Sequence, residues 1–300
     1  MTASKPLSDE SMQRPDGPPP SGAHLDSTAD LMGSIGSRLA DQLSLVSLGG
    51  RRRPTPPALV LVAHGSRDPR ALSTVGALRE RIRELRPRLS VHLGHIELSE
   101  PLLTDTLAGL DGAEAVLVPL LLGRGHHVKR DIPEAAAAAP ARTRVAAPLG
   151  PHPLLVETLY ARLVEAGWRT RPGDAARRAD GVVLASAGSR DPDSRADTRR
   201  IAQLLAERLG VPVVSAYASA ARPTVPAALR ALAARGRHRV AIASCFTAPG
   251  RFATQSVQCA PWIASAPLGD HPALARLVLH RYDEALTTPA TAAGPALASA

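Results

Sequence analysis

The sequence predicts an α/β fold made of two tandem units, each a mostly parallel sheet flanked by helices. Two observations carry this. Short apolar runs alternate with charged stretches of helical period, which is the pattern of strand–helix–strand units. The same order of segments then starts again after roughly 120 residues, the mark of an internal repeat.

The elements follow in order. "ALVLVA" is a short apolar strand that runs into "HGSRDP". Within that turn, Asp before Pro supplies a helix N-cap followed by a favoured first-turn proline, and the glycine eases the sharp bend. "RALSTVGALRERIRELR" has helical period. "SVHLGHIEL" reads as a strand, "PLLTDTLAGL" as a helix and "AEAVLVPLLL" as a buried strand. "DIPEAAAAA" is a helix start and helix, "RVAAPLG" a strand and turn, and "PLLVETLYARLVEAG" a helix. After the linker "TRPGDAARRAD", "GVVLASAGSRDPDSRADTRRIAQLLAERL" repeats the opening strand and helix. "PVVSAYASAARPTVPAALRAL" then repeats the second strand and helix, and "SAPLGDHPALARLVLHRY" the last helix. The repeat divides the chain into a disordered tail and linker (1–56), an N-terminal unit carrying the active site (57–172), a degenerate C-terminal unit (180–288) and a disordered tail (289–300). Residues 1–56 are polar and rich in Pro, Ser and Gly, with one weak helical pattern at Leu31, Ile35, Leu39 and Leu43.

Composition narrows the function. The hydrophobic share of 44% suffices for a sizeable core. The net charge of +9 implies an anionic partner: nucleic acid, phosphate or a polycarboxylate. Nucleic acid fits poorly, because aromatics for base stacking are scarce and no reader motif is present. A phosphate-binding enzyme fits poorly too, since the glycines form neither GxGxxG nor a Walker A pattern. No apolar run approaches the roughly 20 residues of a membrane span. The two cysteines, Cys245 and Cys259, lack CxxC spacing and no secretory signal precedes them. They read as reduced, half-buried thiols of a cytoplasmic protein.

The repeat lets each half serve as a control for the other. "GSRDP" and "PLGxHP" stand in both halves, so they serve the fold, with His152 and His271 capping or hydrogen-bonding a loop. At three places polar residues of the first half are not kept in the second. His64 faces Ala187, Glu97 faces Ser219, and in "GHHV" against "GRFA" His127 faces Phe252 and His126 faces Arg251. Each lies at or just past the C-terminal end of a predicted strand, the edge where open α/β sheets bind ligands. Two imidazoles and a carboxylate converging there suit a first-row divalent metal, as ligands or as proton acceptors.

"LVAHGSRDPRA", "ELSEP" and "GHHVKRDIPEA" resemble the sirohydrochlorin chelatase family of the CbiX/SirB type, one of the class II chelatases. The resemblance covers about residues 58–290 and is to the long form, with two chelatase-like units in one chain. It implies insertion of Fe²⁺ or Co²⁺ into sirohydrochlorin, on the way to sirohaem or cobalamin. It implies no prosthetic group, since the metal is a substrate. The partner implied is this polycarboxylate tetrapyrrole, with no nucleic acid and no membrane, and the chain is expected to be a monomer. The alternative is a non-catalytic carrier of tetrapyrrole or metal using the same cleft. The family's two histidines fall on His64 and His127, leaving His126 as the variable neighbour. Its acidic residue best matches Glu97, with Glu100 close by. These three, His64, His127 and Glu97, are the expected catalytic and metal-handling groups. Arg124, Lys129 and Arg130 lie in the same loops, placed to grip substrate carboxylates.

Overall fold

The computed structural model describes residues 55–170 and 173–288. The expectations for the N-terminal tail before residue 55 and for residues 289–300 fall outside these. From Pro56 onward the described residues form a single compact unit that contains both halves of the repeat.

In the first half, β1 (Ala58–Ala63), β2 (Val91–His95), β3 (Ala115–Pro119) and β4 (Thr143–Val145) make a parallel sheet of order β2-β1-β3-β4. The helices between them are α1 (Pro69–Leu85), α2 (Leu103–Ala108), a four-residue α3 (His126–Lys129), α4 (Asp131–Ala138) and α5 (Pro153–Glu165). A short α6 (Asp174–Ala179) sits where the sequence suggested only a linker. The second half repeats the plan. β5 (Asp180–Ser186), β6 (Val213–Tyr217) and β7 (Arg239–Ser244) form a parallel sheet of order β6-β5-β7. Around it lie α7 (Pro192–Leu209), α8 (Val225–Ala233), α9 (Arg251–Val257) and α10 (Pro272–Thr287). Where β4 would stand, Ile242 makes an isolated parallel bridge to Ala264.

Side chains alternate across a strand, so each fully buried strand feeds two cores. Val60 and Val62 of β1 pack outward with Leu103, Leu107 and Ile132 of α2 and α4. Val183 and Ala185 of β5 pack outward with Val225, Ala228 and Leu232 of α8. Leu59 and Leu61, with Val182 and Leu184 from the other sheet, face a single large core between the sheets. That core is filled by α1, α5, α7 and α10. Its helices cross over: α5 packs against β7 of the second sheet, while α10 packs against β3 of the first. Leu155, Leu159 and Leu163 of α5, and Leu274, Leu277 and Val278 of α10, are fully buried. At about 1.5–3 kcal/mol for each such side chain, these six alone rival the net stability of a typical domain. The two halves are therefore one folding problem. Polar bonds confirm the join. Tyr282 donates its hydroxyl to the Pro57 carbonyl at 2.6 Å, and Arg86 grips Asp283 with both terminal nitrogens.

The shared motifs do what their chemistry suggests. Asp68 accepts from the Arg70 amide at 3.0 Å and Asp191 from the Asp193 amide at 2.9 Å, each capping a helix with proline in its first turn. His152 and His271 cap α5 and α10, accepting through Nδ1 from the amides of Leu154 and Ala273.

Candidate active site

The C-terminal edge of the first sheet brings the expected residues together. His64 follows directly on β1. Gly65 then takes φ +97°, and a Cβ there would lie 1.7 Å from the Glu97 carbonyl oxygen. Only glycine lets the β1–α1 turn lie this close to the loop after β2. The two loops are stitched along their backbones. Ile96 donates to the Ala63 carbonyl and Glu97 to that of His64, at 2.9 and 3.0 Å. The Ser99 hydroxyl accepts from the Ser66 amide and donates to the Ser66 carbonyl, both at 3.0 Å. This fixes Glu97 beside His64, with Oε1 3.3 Å from Nε2. Glu100 does not share that place: its Oε2 accepts from the Leu102 amide on an exposed loop.

The third residue arrives from β3. Leu120 donates to the Val62 carbonyl, and the chain then runs through Gly123 and Gly125 into α3. The His127 ring meets the His64 ring edge-on, with centroids 4.8 Å apart and planes at 89°. His126 sits one residue earlier on the same turn, farther out toward solvent. Its side chain is 76% exposed, against 33% for His127.

One participant was not foreseen. In the sequence Asp131 marks a helix start, but its carboxylate is engaged by the two histidines. Oδ2 lies 2.5 Å from His127 Nδ1, and Oδ1 lies 3.4 Å from His126 Nε2. The spacing held a partial signal: four residues apart, His127 and Asp131 would meet on a continuous helix, and they still meet here across the break at Arg130 between α3 and α4. An ionised carboxylate can only accept, so this bond places the proton on Nδ1 and leaves the lone pair on Nε2. Glu97, His64, His127 and Asp131 thus form a row. Among the described residues no three acid, imidazole or thiol groups close around one point to hold an ion.

Of the three basic residues expected to grip an anion, Arg130 is exposed. Arg124 and Lys129 are paired with the second half: Arg124 with Asp197, and Lys129 with Asp191 and Asp193.

The matching edge of the second half keeps the backbone and lacks the chemistry. Gly188 takes φ +96°, and a Cβ on it would lie 2.0 Å from the Ser219 carbonyl oxygen. Ser219 donates its amide to Ala187 at 2.9 Å, as Glu97 does to His64. The side chains are Ala187, Ser219, Phe252 and, opposite Asp131, Ser256. Arg251 stacks on the Phe252 ring at 4.8 Å.

Both thiols are free. Cys245 is fully buried rather than half-buried, and that burial pushes its pKa up to about 12. Among the described residues no helix is long and apolar enough to cross a membrane.

Comparison with known proteins gives a consistent picture. The family model CbiX matches twice, over residues 58–166 and 181–285. A sirohydrochlorin cobaltochelatase of Methanococcus aeolicus is 40% identical over 80 residues, covering 26% of this chain and 56% of that protein. A sirohydrochlorin ferrochelatase of Bacillus subtilis is 31% identical over 178 residues, covering 55% of this chain and 64% of that one. The chain thus spans between about half and two thirds of the length of these curated relatives. Among solved structures, SirB from Bacillus subtilis with Fe³⁺ superposes with a TM-score of 0.64 at 25% identity, covering 77% of this chain and 96% of that one. A CbiX described as the terminal enzyme for siroheme biosynthesis in denitrifying bacteria matches in fold, with a TM-score of 0.57 at 23% identity over 77% of this chain and all of that one.

Proposed function

The chain belongs to the CbiX family, two copies of which it carries in tandem, and from that premise we propose that it inserts Fe²⁺ or Co²⁺ into sirohydrochlorin. The observation that carries this reading is the row of Glu97, His64, His127 and Asp131 on the sheet edge of one unit only.

Insertion of a divalent ion requires two pyrrole N–H protons to leave and the ion to reach four ring nitrogens. Neutral imidazole is suited to both tasks near neutral pH, as a proton acceptor and as a transient ligand. In this reading His127 acts through Nε2, because Asp131 occupies Nδ1–H. His64 acts beside it, and Glu97 takes up the proton or steadies the cation at His64 Nε2. A row with open sides suits a metal that must be handed on. The macrocycle completes the chelation, so the protein contributes positioning and proton removal. Arg130, exposed next to the histidines, is placed to attract the substrate's carboxylates. Free thiols at Cys245 and Cys259 agree with a cytoplasmic setting, and the internal pair of units with a monomer.

Anaerobic mixing of the full chain with excess sirohydrochlorin and either ion, followed by absorbance of the metallated ring, tests the proposal. Many turnovers per chain are expected. A signal that stops at one equivalent per chain would identify a carrier and sink the enzymatic reading. Relative rates with Fe²⁺ and Co²⁺ assign the metal.

A further inference from the structure

We propose that the second unit holds the histidine-bearing loop of the first in its working position through a one-way set of charges, with Asp197, Asp191 and Asp193 acting as positioning residues on Arg124 and Lys129. The claim rests on the chelatase reading for what the loop does, but the anchoring itself is read from geometry.

The loop runs from the end of β3 to the start of α4 and carries His126 and His127. It is pinned on both sides of His127. On one side, the buried carboxylate of Asp197 on α7 collects several donors from Arg124. The Arg124 backbone amide reaches Oδ2 at 2.9 Å, Nε reaches it at 3.0 Å, and Nη2 reaches Oδ1 at 2.7 Å. A forked guanidinium on a carboxylate fixes direction as well as distance, and the backbone bond ties the loop itself. On the other side, Lys129 Nζ lies 2.7 Å from Asp191 and 2.8 Å from Asp193. Beside these anchors the loop backbone lies close against α7 and the turn before it. A Cβ on Gly123 would meet the Asp197 Cβ at 3.4 Å, and one on Gly125 would meet the Ser189 hydroxyl at 3.7 Å.

The repeat shows that this grip runs in one direction. The counterparts of Arg124 and Lys129 in the second unit are Pro249 and Thr254. The counterparts of Asp193 and Asp197 in the first unit are Arg70 and Thr74. Asp68, the counterpart of Asp191, is instead bound to Arg70 at 2.7 Å. Thr74 turns its hydroxyl back to the Arg70 carbonyl. The one acid left at this place in the first unit, Asp68, is thus taken by Arg70, and the arginine of the other loop, Arg251, stacks on its neighbour Phe252. At these two loops, the charges that break the pseudo-symmetry support the unit with histidines. The same pairing raises the Lys129 pKa, first through Asp191 and then through Asp193, and lowers that of Asp191. This assigns the second unit a task beyond filling the core. It also makes Arg124 and Lys129 fixtures of the loop rather than grips for substrate.

Hydrogen–deuterium exchange on the full chain tests the anchoring without any assay of activity. In Asp197→Asn, peptides covering 121–130 should exchange about tenfold faster, the effect of losing a charge-assisted bond, while β1 peptides keep their rate. Asp193→Asn, at a half-buried position, tests the same point should Asp197→Asn fail to fold. Unchanged exchange in both variants overturns the proposal. Kinetics supply the second arm. Lys129→Asp and Asp193→Lys should each lower kcat about tenfold or more, with KM for the tetrapyrrole nearly constant, because a misplaced catalytic loop loses orientation rather than binding. Their combination, which restores an opposite-charge pair, should recover most of the loss. A raised KM with unchanged kcat in Lys129→Asp and Arg124→Leu would instead make these residues substrate grips and overturn the assignment. Should the unaltered chain insert no metal while exchange behaves as expected, the chelatase reading fails and the anchoring stands.

Discussion

The adjacent pair His126 and His127 shows how much one carboxylate can decide. Both imidazoles reach Asp131, but only His127 also meets His64, while His126 lies out toward solvent. His64→Ala and His127→Ala should each lower metal insertion by about a hundredfold or more, the usual loss on removing a positioned base, while His126→Ala should cost far less. Steady-state rates on purified variants decide it, and an inactive His126→Ala beside an active His127→Ala would reverse the assignment. Two other histidines have a structural role with a pH signature. His152 and His271 accept amide protons as helix caps, and burial, followed by nearby Arg281 and Arg162 respectively, lowers their pKa values. A lowered folded value means that the caps contribute fully above the unfolded histidine range and lose their contribution as pH falls through the folded one. The melting temperature should therefore drop from about pH 7 toward pH 5. His152→Asn with His271→Asn, which caps without titrating, should flatten that part of the profile. An unchanged slope would count against the caps as its source.

Among the elements, the turn after β1 is the most exacting. The Gly65 backbone is left-handed and its missing Cβ makes room for the Glu97 carbonyl. Gly65→Ala should therefore separate the loops after β1 and β2, pulling His64 from Glu97 and lowering both melting temperature and activity. A variant as stable and active as the parent would show that the close approach is dispensable. Strand and helix order was legible here because buried parallel strands are short apolar runs and the capping motifs recur. The four-residue α3 was not legible, since so short a segment has no period of its own. It is held at both ends by the bonds of Arg124 and Lys129 to the second unit. The α6 helix was hidden by the Pro and Gly that precede it.

For the whole molecule, the crossing of α5 and α10 between sheets is the decisive feature. An isolated N-terminal fragment, residues 1–172, keeps α5 but loses β7, and keeps β3 but loses α10. It would expose Leu155, Leu159 and Leu163. Such a fragment should be insoluble or should dimerise, with two copies exchanging α5 as the two halves now exchange helices. Light scattering after size exclusion reads the outcome directly. The full chain should bind one tetrapyrrole, measurable by calorimetric titration, because Ala187, Ser219 and Phe252 offer no base and no metal ligand. A monomeric, fully active fragment, or two equal sites per chain, would refute this account of the second half.

The sequence by itself determined the α/β class, the duplication, the family and the asymmetry that picks out His64, Glu97 and His127. These are local patterns, or differences between two aligned halves, and need no coordinates. Tertiary structure alone decided that Glu97 and not Glu100 stands beside His64, since both lie near the same strand end and the loop's path separates them. It also decided the partners of Arg124 and Lys129. Asp191, Asp193 and Asp197 lie more than sixty residues away along the chain and meet these cations through the shared core between the sheets. No local pattern encodes such a pairing, because packing of the distant helices sets the distance over which the charges act.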